Sequence, residues 1–119
     1  PSCFVSAVED HIAPWRSTFA GAKLLGGEKT FILTNGGHVA GIVNPPESSR
    51  YSHYVSKLEF QFPDEWLENA NNANDSWWTT WSSWLADKSG SKIKALNINQ
   101  KFVIEDAPGS YVRSNYRDP

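Results

Sequence analysis

The sequence contains no methionine and only one cysteine, Cys3. A single thiol excludes an internal disulfide and a cysteine-rich zinc site, and it fits a reducing compartment. No apolar run approaches the roughly 18 residues that cross a bilayer, so no transmembrane segment is expected, and no charged-then-apolar leader opens the chain. An excess of either charge is missing too. Eleven Lys and Arg against thirteen Asp and Glu leave a net charge of −2, which argues against a broad nucleic-acid or anionic-membrane footprint. The lack of Met, in a chain whose residues 2–8 already read as an interior strand, suggests an N-terminal truncation.

What is present is 119 residues, 39% apolar and 20% charged, with six Trp. That is one modest domain or a piece of a larger one. The apolar run Cys3-Phe4-Val5-Ser6-Ala7-Val8, stopped by Glu9-Asp10-His11, predicts a buried strand and a loop. Pro14 suits a first helical position, and Trp15, Phe19, Ala22 and Leu25 follow at helical spacing until Gly26-Gly27. Lys29 to Thr34 predicts a second buried strand, broken by Asn35-Gly36-Gly37, with His38 next. Residues 39–43 predict a short helix or turn packed beneath the sheet rim, ended by Asn44-Pro45-Pro46. Residues 47–62 read as a polar surface excursion with one strand at 57–62, and a helix is expected from Pro63 to about Asn72 with Trp66 and Leu67 inward. A further helix runs from an Asp75 or Ser76 cap to Ser89-Gly90. Its Trp77, Trp78, Trp81, Trp84 and Leu85 form one stripe, read as core packing. From Ser91 the chain is expected to wrap the surface.

Strand, helix, strand is a βαβ unit with two parallel strands. Adjacent strands lie ~4.8 Å apart and share their carboxyl ends. Asp10 follows the first strand and His38 the second, so the topology brings both to the rim where α/β sheets place ligands. A carboxylate beside an imidazole is two thirds of a nucleophilic triad. On spacing alone, an equal reading makes Asp10 a cap for the following helix and His38 a loop histidine. In the α/β-hydrolase order the nucleophile precedes the acid and the histidine. Cys3 lies inside a strand with no glycine near it and reads as a buried core thiol. The chain contains no Gly-x-Ser-x-Gly elbow either. His11, His38, His53 and Asp10 show no metal-ligand spacing.

Three strings point to a family: Glu9-Asp10-His11-Ile12-Ala13-Pro14-Trp15, Leu24-Leu25-Gly26-Gly27, and Gly37-His38-Val39-Ala40-Gly41-Ile42-Val43-Asn44-Pro45-Pro46. Asp64-Glu65-Trp66-Leu67, the Ser76 to Leu85 tryptophan helix and Ala107-Pro108-Gly109-Ser110-Tyr111-Val112 follow in the same order. Together they resemble the C-terminal part of poly(3-hydroxyalkanoate) synthases, over nearly the whole chain.

The resemblance implies an incomplete α/β domain: the C-terminal portion of an α/β-hydrolase-type fold, a parallel βαβ unit plus C-terminal helices. Residues 1–46 would be the βαβ unit, 47–90 the excursion and Trp-rich helices, and 91–119 a surface tail. It implies a Cys-Asp-His triad whose acid and base fall on Asp10 and His38 and whose cysteine lies upstream, unmatched by Cys3. The implied reaction condenses (R)-3-hydroxyacyl-CoA into polyester with release of CoA. Coenzyme A thioester is the substrate, and no cofactor is implied. His11 lies close enough to the rim to touch substrate, and Ala40-Gly41, small as in short-chain (class I) members, could shape an acyl pocket. The implied partners are the growing polyester chain, the missing N-terminal part and a second copy, in the cytoplasm at the surface of polyester granules. An esterase or depolymerase, or a non-enzymatic module using the tryptophans as a platform, are the rival readings.

Overall fold

The structure, a computed structural model, describes residues 1–48 and 50–114. Position 49 of the polar excursion and the last five positions of the tail lie outside the described residues. Four strands form one mixed sheet in the order β1 (Ser2–Ala7), β2 (Lys29–Thr34), β3 (His53–Lys57), β4 (Asn71–Ala73). β1 and β2 are parallel, in register from Ser2 opposite Lys29 to Ala7 opposite Thr34, with α1 (Trp15–Lys23) as the crossover. The expected βαβ unit is therefore present. β3 returns antiparallel to β2, and β4 antiparallel to β3.

The period-two alternation of β2 divides the sheet into two faces. Phe31 and Leu33 point to one face, where Trp15, Phe19 and Ala22 of α1 and Trp66 of α2 (Pro63–Asn69) join them in the core. The rings meet edge to face: Phe31 and Trp66 at 5.1 Å and 77°, Phe19 and Phe31 at 5.5 Å and 68°. Such pairs add about 0.5–1.5 kcal/mol each beyond burial. Among the described residues, the Trp66 indole N–H is a buried donor without a partner. Ile32 and Thr34, both fully buried, point to the opposite face.

Several expectations are corrected here. Pro14 is the residue before α1 rather than its first, and the buried face ends at Ala22; Leu25 lies in solvent beyond the helix. The strand expected at 57–62 lies at His53–Lys57, because the Leu58 amide bonds the carbonyl of Lys29, the first residue of β2, and the chain then turns away toward Pro63. α2 stops at Asn69, and Asn71–Ala73 pairs with β3 instead of extending the helix. Cys3 is half-buried, in a strand, with burial pushing its thiol up to about 11.

The tryptophan stripe is the larger correction. α3 (Trp77–Ser89) begins where expected, with the Ser76 hydroxyl accepting from the Trp78 amide, yet it has no buried residue. Trp81 is 39% exposed. Farther along the stripe, Leu85 is 40% exposed. The tail does not wrap the body either: Ile93, Leu96, Ile98 and Ile104 all stand in solvent. The radius of gyration is accordingly 18.7 Å, against about 13.5 Å for a compact chain of this length.

Candidate active site

The carboxyl ends of β1 and β2 are bridged by their own loops. The Val8 amide bonds the Thr34 carbonyl at 2.9 Å, and the Glu9 amide bonds the Gly36 carbonyl at 3.0 Å. Gly36 makes the exit from β2 at φ +91°, a conformation that side-chain-bearing residues rarely adopt. The chain then coils through residues 37–43, with Gly41 N–H donating to the Gly37 carbonyl and Val43 N–H to the Val39 carbonyl, at 2.9 and 2.8 Å. This is the turn expected beneath the rim. A Cβ on Gly41 would lie 2.7 Å from the Asn35 carbonyl oxygen and 3.2 Å from the Ala7 methyl, so the coil packs on the rim only because that residue is glycine.

This geometry brings together two residues 28 positions apart: His38 Nδ1 lies 2.8 Å from Asp10 Oδ2. The Asp10 side chain is 6% exposed and that of His38 46%. The other Asp10 oxygen, Oδ1, accepts from the amides of Ile12 and Ala13 at 2.9 and 2.8 Å. One oxygen thus closes the turn before α1 and the other meets the imidazole; Asp10 does not cap that helix, whose N-cap is Pro14 without a side-chain bond. The Ala13 amide, with help from His38 and the Ile12 amide, holds the carboxyl below the usual aspartate range against the opposing effect of burial.

The electrostatics decide the tautomer. An ionised carboxylate only accepts hydrogen bonds, so Nδ1 carries a proton, and in the neutral ring Nε2 is the nitrogen with the lone pair. That nitrogen makes no hydrogen bond among the described residues, on a side chain that is 46% exposed, and it can take a proton from a group brought to it. Such a pair has the chemistry that the acid and base of a nucleophilic centre require.

His11 and Ala40 do not join the pair. Both are exposed, and the His11 ring makes no hydrogen bond among the described residues. Nor do three His, Cys, Asp or Glu side chains gather there, among the described residues, as a metal ion requires.

Sequence patterns do not reveal the residues that hold the His38 loop from behind. The Thr34 hydroxyl donates to the Gly41 carbonyl at 3.2 Å. The indole N–H groups of Trp77 and Trp78 both donate to the Ile42 carbonyl, at 3.1 and 3.0 Å. The buried Ser76 hydroxyl donates to the Asn44 carbonyl, and the Asn44 side chain in turn accepts from the amides of Arg50 and Tyr51. Ile42, Val43, Trp77, Trp78 and Trp81 enclose an apolar groove of about 330 Å³ beside this anchor. No local pattern announces the contacts of Ser76, Trp77 and Trp78, since their partners lie 32 to 36 positions away. Only the choice of Ser76 as a helix cap is legible.

A carboxylate-oriented imidazole where two parallel strands end defines the class: an α/β protein with a candidate acid–base pair at the rim of its sheet. Comparison with known proteins makes this particular. No known family profile matches the chain. Individual proteins do: the poly(3-hydroxyalkanoate) polymerase subunit PhaC of Cupriavidus necator is 38% identical over 117 residues, 96% of this chain and 20% of that protein. The same-named subunit of Rhizobium etli is 39% identical over 87% of the chain and 17% of its own length. Poly(3-hydroxyalkanoate) polymerase 1 of Ectopseudomonas oleovorans is 37% identical over 91% of the chain and 20% of its own length. The chain thus belongs to the poly(3-hydroxyalkanoate) polymerases, matching a C-terminal fragment of them, and it spans about a fifth of the length of the relatives it matches. Among the described residues, no helix is long and apolar enough to cross a membrane.

Proposed function

We propose that this chain is the acid–base part of a polyhydroxyalkanoate synthase, an acyltransferase built on an α/β-hydrolase-type domain. Residues 1–46 carry the triad Asp10 and His38, residues 47–90 hold them in place, and residues 91–119 are the tail. The observation that carries the reading is the 2.8 Å contact between His38 Nδ1 and Asp10 Oδ2, with Nε2 left open.

In this reading His38 Nε2 takes the proton of a cysteine thiol supplied by the upstream part of the polymerase. The thiolate attacks the thioester carbonyl of (R)-3-hydroxyacyl-CoA. The carbon–sulfur bond to coenzyme A breaks, and the proton held by His38 leaves with the coenzyme A thiol. Nε2, bare again, then removes the proton of an incoming 3-hydroxyl, which attacks the enzyme thioester; the bond from the acyl carbon to the cysteine sulfur breaks, the thiolate takes back the proton from His38, and the polyester is one unit longer. Asp10 keeps the ring in the productive tautomer and stabilises the imidazolium. Small Ala40 and exposed His11 line the acyl side, which suits a short, 3-hydroxybutyryl-sized monomer of the class I type. The reaction needs no cofactor. The whole enzyme works as a homodimer in the cytoplasm at the polyester granule surface.

A module presenting tryptophans as a platform is favoured by one observation, the absence of buried residues in α3. Against it, Trp77 and Trp78 turn their N–H groups inward to Ile42, as structural residues do.

The test is a chimera in which these 119 residues replace the matching segment of the Cupriavidus necator polymerase. It should release CoA from (R)-3-hydroxybutyryl-CoA, and Asp10→Asn should lower turnover about 10²–10⁴-fold. The isolated chain should release none. A folded, inactive chimera, or release by the isolated chain, sinks the reading.

A further inference from the structure

We propose that the first turn of α3 is a positioning device for the His38 imidazole, with Trp77 and Trp78 acting on it through the carbonyl of Ile42. His38 stands on an exposed loop, its ring held by one hydrogen bond to Asp10. One bond fixes a half-exposed ring only as well as the backbone beneath it is fixed. The backbone that carries it is what must be fixed.

Ile42 is the point at which that backbone is fixed most heavily. Both lone pairs of its carbonyl are occupied by indole donors from consecutive residues of another element. Packing alone does not call for this arrangement, because a half-exposed indole satisfies its N–H with water.

The coil transmits the clamp directly. Gly41 and Val43, on either side of Ile42, bond back to the carbonyls of Gly37 and Val39, on either side of His38. Holding Ile42 therefore holds both neighbours of the histidine.

The clamp has its own brace. His53, fully buried at the start of β3, lies against the Asp75 carbonyl through Nδ1 at 2.9 Å and the Thr80 hydroxyl through Nε2 at 2.7 Å. It spans the first turn of α3 from below, while Ser76 ties the same turn to Asn44. The half-buried tryptophans are thus explained without a ligand: their rings lie where their N–H groups can reach the histidine loop.

The inference rests on His38 being the working base, but its test reads the ring itself and not the reaction. Its failure therefore leaves the polymerase reading to be judged by the chimera. The measurement is imidazole ¹⁵N NMR of the 119-residue chain. In the native chain, protonated Nδ1 and bare Nε2 give His38 two widely separated shifts. Replacing both indoles, Trp77→Phe with Trp78→Phe, keeps the rings and removes both donors. The displaced loop population should rise about fivefold per net bond lost, and the His38 separation should shrink as the tautomers average. Each single variant should do less, and Trp81→Phe nothing.

The His53 signals in the same spectra are the control: a positioning role moves His38 and leaves His53 alone. An unchanged His38 separation in the double variant, or His38 and His53 changing together, overturns the proposal. Should the double variant not fold, hydrogen exchange in the unsubstituted chain decides. The His38 Nδ1 proton and the two indole protons should open with the same denaturant dependence. Opening at His38 while the indoles stay protected overturns the proposal equally.

Discussion

Two histidines at opposite ends of one loop system separate the proposed base from a ring that only holds structure. His38 and His53 each place Nδ1 within 2.9 Å of an oxygen, the Asp10 carboxylate in one case and the Asp75 carbonyl in the other. Both rings are therefore fixed in the same tautomer. The difference is at Nε2. In His53, itself fully buried, it accepts from the Thr80 hydroxyl; in His38, whose side chain is 46% exposed, it makes no hydrogen bond among the described residues. A ring with both nitrogens engaged can only hold parts together, whereas a ring with one nitrogen free and the other anchored can move a proton.

The comparison is easily broken if it is wrong. The largest effect is expected at His38: His38→Gln in the chimera should lower CoA release by about 10²–10⁴-fold while the urea midpoint stays put. A variant that keeps its activity removes the base. The reverse is expected at His53. Truncating it to Ala strands the Asp75 carbonyl and the Thr80 hydroxyl in a buried site, for a loss of about 2–5 kcal/mol of unfolding free energy in urea titration. A loss of activity at full stability would put His53 in the chemistry and erase the contrast.

The smallest effect is in pH. Native Asp10 binds its proton more weakly than the unfolded chain does, so its contribution to stability is complete above the unfolded aspartate pKa of about 3.9. That contribution falls as pH drops through the lowered native value and is gone below it. The urea-stability gap between the native chain and Asp10→Asn should therefore close as pH is taken below about 4. A gap that widens with acid would mean that the carboxyl is not held in its charged form.

How much of this is legible in the residues alone depends on range. The βαβ unit, the Asp10–His38 pairing and the start of α3 follow from local patterns: apolar runs of strand length, a Pro and a Gly pair around a helix, a serine before a tryptophan stripe. β4 is not legible because Asn71-Asn72-Ala73 has neither apolar alternation nor β-branching; it is a strand only because β3 offers an edge. The third strand is displaced from its expected place because Leu58, Phe60 and Phe62 alternate better than His53 to Lys57 do, although Leu58 is buried at the sheet's end and Phe62 stands in solvent. The tryptophan stripe misleads because amphipathic spacing says which residues share a side of a helix, not whether anything covers that side. Whether an indole points at a carbonyl 35 positions away has no trace in spacing at all.

Gly41 carries a consequence for how such a protein can vary. The coil after His38 leaves no room for even one methyl group at that position, yet Val39, Ala40 and Val43 on the same coil lie in solvent. Frame and decoration are separable here. Substitutions at 39, 40 and 43 change what an approaching molecule meets without shifting the imidazole, whereas any substitution at 41 moves both. Selection for a new substrate therefore has three positions open to it and one closed, and a library randomised over residues 39–43 should return variants that are almost all glycine at the third place.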